Sequence, residues 1–191
     1  MITMTTALFL IAAFTNHEGL SVQGAATLQN GKPAANCVVY LEGEEKSHPM
    51  AHAMVDQRDR TFIPHVSVIT VGTEVQFPNH DTIFHNVFAD YDAKRFDLGM
   101  YPRGASKHQT FPKRGVVAMM CSIHPDMSAY IMVVDTPYYA VTDSKGRFDI
   151  EGVRPGRYTV RGWHESGQVA STPVQLQQSE KLEISLHRGH D

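Results

Sequence analysis

Excess positive charge, long apolar runs and cysteine are what this sequence has least of. Its 17 Lys and Arg face 20 Asp and Glu, a formal net charge of -3. The chain therefore has no basic field with which to hold a polyanion, and no nucleic-acid partner is expected. The longest apolar run, Ala7 to Phe14, falls well short of the roughly 20 residues that cross a bilayer, so no membrane span is expected. That run has the length of a signal-peptide core, although no Lys or Arg precedes it. Residues 1–17 are read as a signal-like N-terminus and the protein as periplasmic. The two cysteines, Cys37 and Cys121, could pair in an oxidising compartment. Cys37 lies in the strand pattern Ala35 to Leu41 and reads instead as a buried free thiol.

What the chain does have is short, turn-bounded strand patterns, which make it all-β. Within them sits Cys121-Ser122-Ile123-His124-Pro125-Asp126-Met127, which gathers a thiol, an imidazole and a thioether. Upstream lies a second imidazole, His85. Two His, one Cys and a weak axial Met form the ligand set of a blue-copper electron-transfer site. Thiolate and thioether suit copper, whereas a structural zinc site more often gathers further Cys or His. Cys121 ends the apolar run Val116 to Met120, read as a buried strand, and Pro125 should end strand pairing soon after His124. The three clustered ligands are thus expected on a loop before a second strand, Ala129 to Val134, and His85 must arrive from across the fold.

Phe84-His85-Asn86-Val87 and the Cys121–Met127 loop resemble the ligand segments of the cupredoxins, with a loop spacing similar to amicyanin. The likeness extends upstream through Val66–Asn79 and covers roughly residues 51–135. It implies a Greek-key cupredoxin sandwich holding one type 1 copper through His85, Cys121, His124 and Met127. It also implies that Asn86 ties the ligand loops together and that Pro125 lies beside the exposed edge of His124, the electron port. The implied partners are redox proteins of the cytochrome c or dehydrogenase kind. Asp126 departs from the pattern, since amicyanin-like loops carry an aromatic there.

The remaining segments are expected to form a second, smaller sandwich. Ser21–Pro33 and Val38–Glu42 read as a hairpin closed by Asn30-Gly31, and Ala140–Ile150 and Val153–Trp163 read alike, with turns at Lys145-Gly146 and Pro155-Gly156. Together they resemble the halves of a carboxypeptidase regulatory-like, transthyretin-like domain, discontinuous over 18–50 and 137–188, with the cupredoxin segment 51–136 inserted in it. Insertion is tolerated where the ends of the inserted unit lie close together. Tyr158 and Trp163 read as core aromatics. His48, His52, His187 and His190 read as solvent-exposed, because no further ligand completes a set.

The functional expectation is a one-electron carrier and not an enzyme, since no nucleophile or carboxylate constellation stands out. Two alternatives use the same residues differently. One is a copper chaperone or buffer that adds Met50, Met54, Met100, Met119 and Met120 as transfer sites. The other is a metal-free adhesion or carbohydrate-binding β module.

Overall fold

The computed structural model describes residues 19–90 and 93–189. The signal-like segment 1–17 and His190 lie outside the described residues. Every regular element described is a strand. In chain order these are β1 (Leu20–Thr27), β2 (Val38–Glu42), β3 (Asp56–Arg58), β4 (Thr61–Ile63), β5 (Val66–Thr70), β6 (Glu74–Pro78), β7 (His85–Ala89), β8 (Phe96–Tyr101) and β9 (Ser106–Thr110). They continue as β10 (Gly115–Cys121), β11 (His124–Val134), β12 (Tyr139–Val141), β13 (Arg147–Val153), β14 (Gly156–His164), β15 (Gln168–Leu176), β16 (Glu180–Ser185) and β17 (His187–Arg188). Among the described residues no helix is long and apolar enough to cross a membrane.

Two β-sandwiches result. The first sets the sheet β5-β11-β10-β7-β8 against the ribbons β6-β9 and β3-β4. Period-two alternation turns Val75, Phe77, Val87, Val117, Met119, Ile131 and Val133 inward, and they form one core with Cys121 and Met127. The second sets β13-β1-β16 against β12-β2-β14-β15-β17, around a core that includes Val39, Leu41, Phe148, Val160 and Leu176.

The strands of the second sandwich come from both ends of the described chain. β2 pairs with β14, Trp163 opposite Val38 and Thr159 opposite Glu42, and β12 flanks β2 on its other edge. The central segment leaves and re-enters at one place: the Ser47 N–H donates to the Asp135 carbonyl at 3.0 Å, and Lys46 Nζ meets the Asp135 carboxylate at 3.0 Å.

The hairpins expected from the turn signals do not form. Asn30-Gly31 does close a tight turn, with Leu28 N–H donating to Lys32 O. Beyond it, however, β2 joins the opposite sheet, while β1 pairs with β13 and in parallel with β16. The Lys145-Gly146 and Pro155-Gly156 turns likewise carry the chain between sheets. Each of these strands has one strongly apolar face, and pairing across the core buries two such faces where a lone hairpin would bury none. At the first of these corners Gly146 has φ +75°, and a Cβ there would strike the Ala26 carbonyl oxygen.

The two sandwiches stack through their outer sheet faces. Val66, Val68, Met132 and Val134 meet Val38 across the seam, with Tyr40, Tyr130, Tyr139 and Trp163 packed around them. The Tyr130 and Trp163 rings lie 5.4 Å apart. This explains the unbroken apolar run in β11: Ala129, Ile131 and Val133 fill the first core while Met132 and Val134 fill the seam, so the strand is covered on both sides.

Candidate metal centre

β7 and the β10–β11 connection are brought together at one end of the first sandwich. Met120 of β10 pairs with Phe88 of β7, which sets the Cys121 end of β10 beside the start of β7 at His85. The connection is tighter than a ligand loop of seven residues. Cys121 pairs directly with His124, leaving Ser122 and Ile123 as the turn, whereas Met120 pairs with Ser128. Residues 125–127 therefore bulge out of β11 with no partners opposite them. Pro125 does not end the strand but sits in this bulge, where no ladder N–H is required of it. The bulge also delivers Met127 to the interior, where it is 1% exposed.

Three of the expected ligand atoms converge. Cys121 Sγ lies 3.8 Å from His85 Nδ1 and 3.6 Å from His124 Nδ1, and the two Nδ1 atoms are 3.1 Å apart. Among the described residues this is the one group of three His, Cys, Asp or Glu whose ligand atoms all lie within 4.8 Å of one another. A point in the plane of these atoms lies about 2.0 Å from all three, close to the roughly 2.0–2.3 Å that nitrogen and sulfur ligands keep from a transition metal such as zinc. The two imidazole nitrogens, 3.1 Å apart, are close enough to share either a proton or a cation. A shared cation fits this donor set. Met127 shares the buried core with Cys121.

The protonation states suit ligation. His85 is fully buried, and its Nε2 donates to Asp81 Oδ2 at 2.9 Å. This bond places the ring proton on Nε2 and frees the Nδ1 lone pair to face Cys121. Asp81 is itself held firmly: the Arg60 N–H donates to Oδ2 at 2.8 Å and the Thr82 N–H to Oδ1 at 2.7 Å. The Arg60 backbone bond first, and then the His85 bond, bring the Asp81 carboxyl down to about 2. Burial, followed by the nearby His85 and Arg60, holds His124 below the ordinary histidine value. A neutral imidazole is the form that binds metal.

Asn86 joins the two ligand segments. Its Oδ1 accepts from the Ser122 N–H at 2.7 Å and the Ser122 hydroxyl at 2.9 Å, while its Nδ2 donates to Asp97 at 3.1 Å. Sequence reasoning missed the polar frame behind His85. Asn79, fully buried, donates through Nδ2 to the Ile83 and Tyr101 carbonyls and accepts through Oδ1 from Asp81 N–H. Gln57, also fully buried, donates through Nε2 to Pro78 O and to the Tyr101 hydroxyl, which donates in turn to Phe77 O. A carboxylate four residues before a histidine was a legible signal for Asp81. Nothing local marks Gln57, which reaches the site only because β3 folds beside it. Cys37 lies apart in the second core, a free thiol like Cys121, with burial pushing it up to about 12.

A family described as polysaccharide lyase family 4, domain II, matches residues 114–184, from β10 into β16. No curated relative matches the chain. Among solved structures, a purple cupredoxin from Nitrosopumilus maritimus is 24% identical, over 43% of this chain and 99% of that one, with a TM-score of 0.40. A reduced amicyanin variant is 21% identical, over 50% of this chain and 99% of that one, at 0.40. A copper-containing nitrite reductase from Thermus scotoductus is 26% identical, at 0.43, over 50% of this chain and 25% of the enzyme.

Proposed function

We propose that this protein is a one-electron carrier that holds one copper ion through His85, Cys121, His124 and Met127, on an electron-transfer domain of residues 51–136 inserted into the second sandwich. The observation that carries this reading is the convergence of two Nδ1 atoms and one Sγ within 4.8 Å at a buried site. Bound there, copper would alternate between its two oxidation states within a fixed soft ligand set. The chain's own part is to keep that set from moving. Asp81 orients His85, Asn86 ties Ser122 to β7, and the bulge at 125–127 fixes Met127 in the core. With four protein side chains committed to the ion, no coordination position is left for a substrate, which favours a carrier over an enzyme.

His124 is the half-exposed ligand, and exposed apolar side chains stand near it in the chain or across the ladder. Phe84 is 52% exposed, Ile123 43% and Met100, the ladder partner of Asn86, 56%. Such a patch suits brief docking of a redox protein, with Asp126 and Arg60 at its rim setting charge preference.

The test is the visible spectrum of the oxidised, copper-loaded protein. Intense thiolate-to-copper absorption is expected. Cys121→Ser should abolish it, and Met127→Gln should keep the copper while lowering the reduction potential. A colourless wild type with stoichiometric copper would refute the reading.

A further inference from the structure

We propose a second metal site, for divalent copper, on the outer face of the first sandwich, with His52, Glu74 and His108 as donors and Met54 beside them. These residues come from three separate stretches of chain, and only strand register brings them together. Met54 bridges Gln76 in parallel, and Gln76 is the antiparallel partner of His108. Residues opposite one another in a ladder point to the same face, so Met54, Gln76 and His108 form one row. Two residues back along β6, Glu74 takes the same face, and His52 holds the corresponding position on the neighbouring segment.

By this register Glu74, on β6, lies between the segment that carries His52 and the strand that carries His108. His108 Nδ1 already lies 3.5 Å from Glu74 Oε1. His52, Met54, Glu74 and His108 line a common depression of about 400 Å³, in which the small Ala51 and Ala53 leave room. Val75 and Phe77 of the same strand point the other way into the core, so none of the donors is spent on packing. Met54 is 53% exposed, a large apolar side chain with no burial to explain its position.

The chemistry points to copper. Two imidazole nitrogens and a carboxylate oxygen are a donor set for tetragonal Cu(II), which outbinds the other divalent first-row ions at such sites. The thioether of Met54 would add a soft ligand for the reduced ion. In this structure the three donors do not all lie within 4.8 Å of one another; His52 and His108 stand on segments on either side of β6, and rotation of the exposed side chains between staggered wells would bring them onto one ion. This site has no wall and no thiolate. It is suited to picking up and releasing copper rather than to holding it through redox cycles, and it uses none of the ligands proposed above.

The experiment adds one further equivalent of Cu(II) to the copper-loaded protein, removes free metal by gel filtration, counts copper and records the electron paramagnetic resonance spectrum. Two coppers per chain are expected, the second with a tetragonal signal split by nitrogen. His52→Asn and the double variant Glu74→Gln, His108→Asn should each lose the second copper and retain the first. His187→Asn, which changes an exposed histidine of the other sandwich, should retain both. A wild type that holds one copper, a second copper that survives in the His52 and Glu74/His108 variants, or one lost in the His187 variant would overturn the proposal. Failure of the first site shows separately, as a missing charge-transfer band in the same sample, and leaves the tetragonal signal readable.

Discussion

At the scale of single residues, Asp81 decides more than its bond to His85 suggests. It is an acceptor for His85 and for two backbone N–H groups, so its charged form is favoured in the folded protein and its carboxyl lies near 2. An unfolded aspartate titrates near 3.9. The sign follows from this depression: the stabilisation is complete above the unfolded value and is lost as pH falls through the folded one. In urea unfolding of the metal-free protein, wild type should exceed Asp81→Asn in stability at pH 5, and the gap should narrow toward pH 2 as the wild-type carboxylate takes up its proton. A gap constant over that range would show that Asp81 acts through shape alone. Copper-loaded Asp81→Asn should also show a shifted charge-transfer band, since the amide cannot hold the His85 ring by the same charge-assisted bond.

At the scale of elements, strand identity was easier to read than strand partnership. The apolar runs at Val116–Met120 and Ala129–Val134 are β10 and β11, and His85 begins β7. The hairpins of the second sandwich failed because a turn of the right chemistry says that the chain reverses, not which sheet receives it. The same ambiguity hid the bulge at 125–127, where Pro125 reads locally as a strand terminator. Gly24 shows how tightly the chosen pairing is built. A Cβ there would strike the Leu182 carbonyl oxygen on β16 and lie 2.9 Å from the Phe148 ring on β13. Gly24→Ala is expected to destabilise the protein by about 3 kcal/mol, because the obstacle is backbone that cannot rotate away. Chemical denaturation measures it, and a cost near zero would mean that β1 and β16 can separate without penalty.

At the scale of the whole molecule, the seam between the sandwiches makes them one body. Its apolar centre should outweigh its charged rim. Trp163 packs on Tyr130, whereas His65 Nε2 and Glu165 Oε2 meet at 2.7 Å with both side chains about one-third exposed, at 35% and 34%. Trp163→Ala should cost about 2 kcal/mol, less than a fully buried tryptophan because part of the indole already meets solvent. Glu165→Gln should cost less than about 1 kcal/mol, since water screens the pair. Equilibrium unfolding of the two variants compares these effects directly, and the reverse order would make the seam electrostatic. A stacked second sandwich also leaves the half-exposed edge of His124 at the opposite end of β11 from Val134, away from the crossing point at Ser47 and Asp135.

The sequence alone determined the kinds of candidate donor and their local order, because Cys121, His124 and Met127 lie within one stretch of seven residues and their donor chemistry does not depend on the rest of the fold. It also determined that the chain is all-β, since short alternating runs can bury a face in no other way. Only the tertiary structure decided that His85 meets Cys121, that Gln57, Asn79 and Tyr101 stand behind it, and that His108 stands beside Glu74. Those contacts depend on register and on the choice of sheet, which are settled by packing between segments far apart in the chain. Local propensity is nearly blind to them.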